Sequence, residues 1–252
     1  MADPDRRAAD VPRDAPPLGR ELSELIEDFA GLGLRDLKMI RDIYWRPRRV
    51  LRAMAAGSRE EYGSAFRLWI TSVGALLLST LLGGGMGRVM VDADERGDGS
   101  VRNMITEASG DYAGVINDFE SWVSLLTVPV SALAMLPVIF LLRAFARGIR
   151  LSRQLQTLAA ITVSMTIPNI LIMPYLMANS GNPAAILLAF STYAVFMSTF
   201  ARGGAGLYHH GWAGMAGKTA AIGGATILLN ILASTAAMYA ALAVAILQNT
   251  PA

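Results

Sequence analysis

The chain has 252 residues, 53% of them apolar and only 17% charged, with a formal net charge of +2 and no cysteine. Soluble domains carry roughly 25% charged residues. This apolar load exceeds what one soluble core hides, so a polytopic membrane protein is the first reading. The cysteine count excludes disulfides, thiolate metal sites and cysteine nucleophiles.

Residues 1–17 (MADPDRRAADVPRDAPP) are rich in Pro, Ala and charge and lack an apolar signal-peptide core, which predicts a disordered tail. Residues 18–65 read as cytoplasmic amphipathic, interfacial helices. Leu22, Leu25, Ile26 and Phe29 keep helical spacing, and after the Gly31–Gly33 break so do Leu34, Leu37, Ile40 and Tyr44. Pro47 suits the first turn of another short helix, whose apolar face is Val50, Leu51 and Met54. Ser58 followed by Glu61 predicts a capping box for the helix that continues into the membrane. Around the Val50 face cluster Trp45, Arg46, Arg48, Arg49 and Arg52. A helix of this make-up lies in the headgroup layer. Its arginines are candidates to bind anionic lipid or an acidic partner, at about 1 kcal/mol each near the surface. The plainer alternative is that they set topology and snorkel.

The stretch Arg41-Asp-Ile-Tyr-Trp-Arg-Pro-Arg-Arg-Val-Leu-Arg-Ala-Met54, with Gly57, Tyr62 and Phe66-Arg67-Leu68, resembles the juxtamembrane lead-in of Yip-like membrane proteins. It is most similar to a bacterial branch in which "RP", "V" and "G…Y" precede the first span. The resemblance implies five spans, a cytoplasmic N-terminus and a membrane-organising, trafficking or lipid-related role, and it brings no catalytic residues. The chain departs from that branch in having no Cys-x-x-Cys ribbon and in carrying a long acidic external loop.

Five apolar stretches follow, at 66–86, 121–142, 158–177, 184–200 and 220–247, within a membrane domain spanning 66–252. Each suffices to cross a hydrocarbon core about 30 Å thick as a helix. Nineteen Lys and Arg fall before the first span or in the links after the second and fourth, and only Arg88, Arg96 and Arg102 fall on the other side. Basic residues stay in the cytoplasm, so the N-terminus is expected inside and the C-terminus outside. A bacterial inner membrane is the natural home. The pI near 9.1 then reflects membrane-side anchors rather than nucleic-acid binding.

All 20 acidic residues precede Ser121; eight of them lie between Asp92 and Glu120, in the expected external loop at 91–120. Asp92-Ala-Asp94-Glu-Arg96-Gly97-Asp98 is a partial calcium-loop pattern, but Arg96 puts a positive charge at position five and Asn103 stands where a bidentate Glu belongs. Gly211-Trp-Ala-Gly-Met-Ala-Gly217-Lys218-Thr219 has the wrong spacing for a phosphate-binding loop and reads as a Gly-rich turn. Beside it, His209 and His210 are a poor chelating pair, and Tyr208 and Trp212 suit the membrane interface.

Within the spans, Asn169 lies between Pro168 and Pro174, and Asn230 lies in the last span. Intramembrane polar groups are costly, so these mark either helix–helix hydrogen bonds or a substrate path. Ala233, Ala237, Ala241 and Ala245 form a small-residue stripe suited to close helix packing. The expected fold is an all-α integral membrane protein with five transmembrane helices and amphipathic helices before the first. The expected function is non-enzymatic: a membrane-organising, scaffolding or accessory-subunit role, with anionic membrane lipids, a protein partner or a second copy as partners. No catalytic set, metal site, cofactor or nucleic acid is expected. The alternative is a small transporter or lipid-moving protein using Asn169 and Asn230.

Overall fold

The computed structural model describes residues 33–58 and 61–250. The expected tail and the Leu22–Phe29 face lie outside them. Among the described residues the elements are all helical: α1 (Leu34–Trp45), α2 (Pro47–Ala56), α3 (Ala65–Leu82), α4 (Gly85–Arg96), α5 (Ser100–Ser109), α6 (Tyr112–Phe145), α7 (Leu151–Ala178), α8 (Pro183–Gly203) and α9 (Gly211–Asn249). Five of these, α3 and α6 to α9, are long and apolar enough to cross a membrane. The protein is a multi-pass helical membrane protein.

The helices overrun the apolar stretches in several places. The 34 residues of α6 and 39 of α9 give lengths of ~51 and ~58 Å against a core of about 30 Å. Their polar ends continue the helix because each finds a partner. Trp122 Nε1 donates to Gln248 Oε1 (2.9 Å), and Asn249 Nδ2 donates to Asp118 Oδ2 (2.8 Å). The Gly211–Lys218 segment, expected as a turn, is instead the opening of α9. The acidic stretch at 91–120 is not a loop: it comprises the second half of α4, all of α5 and the first turns of α6. Asp94 organises it by accepting the N–H groups of Val101 (2.9 Å) and Arg102 (3.1 Å) in the first turn of α5.

The first span ends at Leu82 rather than residue 86. Gly84 and Gly85 follow with φ of 106° and 78°, a left-handed conformation that side chains disfavour, and the chain turns into α4 there. Its start also differs from the expected cap. Ser64, not Ser58, accepts the Arg67 N–H, while Glu61 forms ion pairs with Arg49 and Lys38. Ser58 follows Gly57, which closes α2.

At the centre is α7, packed against α1, α2, α3, α6 and α8, with every residue from Thr157 to Thr166 buried. Two prolines interrupt its backbone ladder, leaving the carbonyls of Ser164 and Ile170 without their usual N–H donors. Other helices supply replacements. Tyr44 Oη in α1 donates to Ser164 O (2.9 Å), and Ser79 Oγ in α3 donates to Ile170 O (2.6 Å). The helix is thereby tied to two neighbours at the points where proline interrupts its ladder.

The α1 face is only partly the one that apolar spacing indicated: Ile40 and Tyr44 pack against the core. Leu34 and Leu37 are exposed, whereas Asp36, Met39, Asp42 and Ile43 are buried. Both carboxylates find partners in a segment 20 to 31 residues downstream: Arg67 pairs with Asp36 Oδ2 (2.6 Å), leaving Oδ1 buried without a partner, and the Tyr62 hydroxyl donates to Asp42 (2.9 Å). Burial pushes the Asp42 carboxyl up, but hydrogen bonds from Arg41 and Tyr62 and the charges of Arg41 and Arg46 carry it below its ordinary value. The Tyr62 phenol is pushed up in turn, by burial and by Asp42.

Helices α6 and α9 run antiparallel and make the most extensive helix pair. Ala237, Ala241 and Ala245 are buried there, the last two among Val115, Phe119 and Val123. Enlarging a fully buried position in a close contact costs about 1–3 kcal/mol. Ala241→Leu is therefore expected to lower the unfolding free energy by that amount in a reversible denaturation titration in detergent, with exposed Ala240→Leu as an unchanged control.

Candidate functional site

Two places in the bundle gather polar groups: a basin at its basic end and a cavity between its helices. The basin is built on α2. Pro47, Val50, Leu51 and Met54 are buried toward α7 and α8, as the sequence spacing indicates, which turns Arg48, Arg49 and Arg52 outward. The close seat depends on Gly203 of α8, where a Cβ would stand 2.7 Å from Leu51 Cδ2 and 3.2 Å from the Pro47 carbonyl.

Arg46, Arg48, Arg49 and Arg52 rim an open basin of about 750 Å³ together with Trp45, Glu61 and Arg202. Arg202 is the member that the sequence does not single out, because by itself it reads only as a basic residue in the link after the fourth span. It comes from the end of α8, and its Nη1 donates to the Tyr44 carbonyl (3.2 Å). Arg49 is paired with Glu61. Trp45 is 77% exposed at the edge.

The connection from α8 to α9 lies behind this basin. Tyr208, expected at the membrane interface, is instead buried: its hydroxyl donates to Gln154 Oε1 (2.7 Å) and its ring stands 5.6 Å from that of Phe200. Burial pushes its phenol up to about 12. Lys218 Nζ donates to the Tyr208 carbonyl (2.6 Å) and lies over the Phe145 ring. His209 is buried against Phe200, while His210 and Trp212 are exposed.

The second place lies among α3, α6, α7 and α9, where two adjoining cavities of about 350 and 200 Å³ share Leu76, Thr127, Ser131, Met173, Asn230 and Ser234. Asn169 and Asn230, 61 positions apart in sequence, line the larger one together. So does Thr226, whose buried Oγ1 has no hydrogen-bond partner. Ala233 and Ala237 line the smaller cavity, so the alanine stripe serves a cavity wall at one end and the α6 contact at the other.

The smaller cavity also contains Glu120. Sequence reasoning placed every carboxylate outside the spans because the apolar stretch begins at Ser121. The continuous helix from Tyr112 instead carries Glu120 onto the cavity wall, where its Oε2 accepts the Gly87 N–H (2.5 Å). Its carboxyl group packs so closely on the backbone of Gly85 that a Cβ there would stand 2.8 Å from both oxygens.

The carboxylates of the calcium-like segment face other partners: Asp92 faces Arg88 (3.7 Å), Asp94 holds α5, and Asp98 accepts the Ser100 N–H (3.1 Å). The Ser100 side chain and N–H lower the Asp98 carboxyl below its ordinary value. Compared with protein-family models, curated proteins and solved structures, the chain matches none.

Proposed function

We propose that this multi-pass protein resides in a bacterial inner membrane with its basic end in the cytoplasm. It is non-enzymatic, and it organises membrane lipid or an acidic protein partner through the arginine-rimmed basin. The observation that carries this reading is the set of five guanidinium groups, Arg46, Arg48, Arg49, Arg52 and Arg202, facing one open basin whose single acidic member is Glu61. Exposed Trp45 at its edge, and exposed Leu34 and Leu37 on the preceding helix, suit a helix pair lying against headgroups. The positive-inside rule supports the orientation, and the resemblance of 41–68 to Yip-like proteins supports a membrane-organising role. A second copy of the chain is the alternative occupant.

Replacing Arg48, Arg49 and Arg52 with Gln should leave insertion intact, because ten basic residues remain before the first span. Contact with anionic lipid should weaken by about 1 kcal/mol per arginine. Salt should weaken the wild-type contact too, since exposed charges are screened over roughly 8–10 Å at 0.1–0.15 M. The measurement is phosphatidylglycerol, or co-purified protein, retained by wild type and triple variant at low and high salt. Equal retention in all four samples would reduce the arginines to topology determinants. A second reading, transport through the bundle, is favoured by the meeting of Asn169 and Asn230 in one cavity, and solute or lipid flux in reconstituted vesicles tests it.

A further inference from the structure

We infer that the cavity beneath Glu120 is a binding site for a molecule bearing a primary ammonium group, with the ammonium on Glu120 and the rest of the molecule directed toward Asn230. This deepens the transport reading and is independent of the arginine basin. The charge argument comes first. Glu120 is the one ionisable side chain among the residues lining the smaller cavity, and Lys and Arg are absent from the lining of both cavities. Only one of its oxygens is engaged: Oε2 takes the Gly87 N–H, and no described residue donates to Oε1. A carboxylate with a vacant acceptor on a cavity wall favours a cation that can donate hydrogen bonds.

The walls narrow the class of cation. Ser124, one turn along α6 from Glu120, adds a hydroxyl oxygen on the carboxylate's side of the helix, and Thr127 and Ser131 continue a line of hydroxyls along the cavity wall toward Asn230. A calcium ion takes six to eight oxygens, several of them usually charged, and it would leave the apolar remainder, with Val123, Met86 and Met238, unfilled. An amine attached to a small amphipathic body uses both parts. Deeper in, Thr226 keeps a buried hydroxyl without a partner on the wall of the adjoining cavity. An unmet buried polar group costs free energy that a polar ligand recovers.

Position gives the route. Glu120 immediately precedes the apolar 121–142 stretch, whose 22 residues rise ~33 Å as a helix, enough to cross the hydrocarbon. The carboxylate therefore lies at headgroup depth at the acidic end of the bundle. Toward the basic end, the core around Leu142, Leu158 and Phe200 closes the bundle. The ammonium can come from an aminophospholipid headgroup in the leaflet at the acidic end or from a soluble amine, and the two sources share the recognition chemistry.

The test uses the full chain in nanodiscs. In discs of equal phosphatidylethanolamine and phosphatidylglycerol, lipids retained after detergent extraction are measured by mass spectrometry. In discs of phosphatidylglycerol alone, ethanolamine is titrated calorimetrically. Wild type should retain phosphatidylethanolamine preferentially, or bind ethanolamine, and Glu120→Gln should weaken that preference or affinity about tenfold, the loss of one charge-assisted hydrogen bond. Enrichment alone identifies the lipid as the source; ethanolamine binding alone identifies the soluble amine. Ala240→Leu, on the exposed face of α9 and outside both cavities, should behave as wild type. Asn230→Leu, which fills the cavity from the far side, should also reduce binding, and it decides the question if Glu120→Gln does not fold. Equal behaviour of wild type and the folded cavity variants in both arms would overturn the site. Ammonium binding without flux would leave the site standing and remove transport alone.

Discussion

A cysteine introduced at Ser100 is expected to react with a membrane-impermeant thiol reagent on intact spheroplasts, and one at Ser58 only after permeabilisation. The native chain contains no cysteine, so each reporter is read without background. Both serines are exposed, hence differences in labelling report sidedness rather than burial. Ser58 shares its end of the bundle with the α2 arginines, and Ser100 lies in α5 at the opposite end with the acidic residues. The expected effect is all or none, because nineteen basic residues on one side against three on the other leave little freedom of insertion. Labelling at Ser58 without permeabilisation would invert the topology, and the arginine basin would then face away from the cytoplasm.

Tyr208→Ala is expected to cost the fold about 3–5 kcal/mol, the range for truncating a large buried aromatic side chain. The ring is 1% exposed and packs on Phe200, and its hydroxyl is the hydrogen-bond donor to the fully buried Gln154. Tyr208→Phe keeps the ring and removes only that donor. It should cost about 1–3 kcal/mol, the penalty for leaving a buried acceptor unmet. Denaturant titrations in detergent should rank the proteins wild type, then Phe, then Ala. A Phe variant as damaged as the Ala variant would place the whole contribution in the hydroxyl. Two variants indistinguishable from wild type would return Tyr208 to the interface role that its neighbour Trp212 suits. Because the Tyr208 carbonyl also holds Lys218, the Ala variant should loosen the start of α9 as well, seen as faster amide exchange over 211–218.

The sequence by itself determined the five long apolar helices, the uneven distribution of basic residues along them and the apolar face of α2. All three follow from local quantities: the run length that hydrocarbon requires, the side on which charge is tolerated and the periodicity of a helix. The same local criteria mislocated what depends on a distant partner. The inward face of α1 turned on Asp36 and Asp42, which could be buried only because Arg67 and Tyr62 stand opposite them. Helix ends were misplaced where polar residues continued a helix by pairing across it, as Asp118 does with Asn249 and Trp122 with Gln248. Pro168 and Pro174 marked two freed carbonyls in advance, but that Tyr44 and Ser79 would meet them, 120 and 91 positions away, was a matter of packing. Glu120 joined the cavity, and Arg202 the basin, for the same reason. Burying a polar group is costly unless a partner is in reach. The partner is chosen by how the helices pack, so only the tertiary structure decided which polar residues became part of a site.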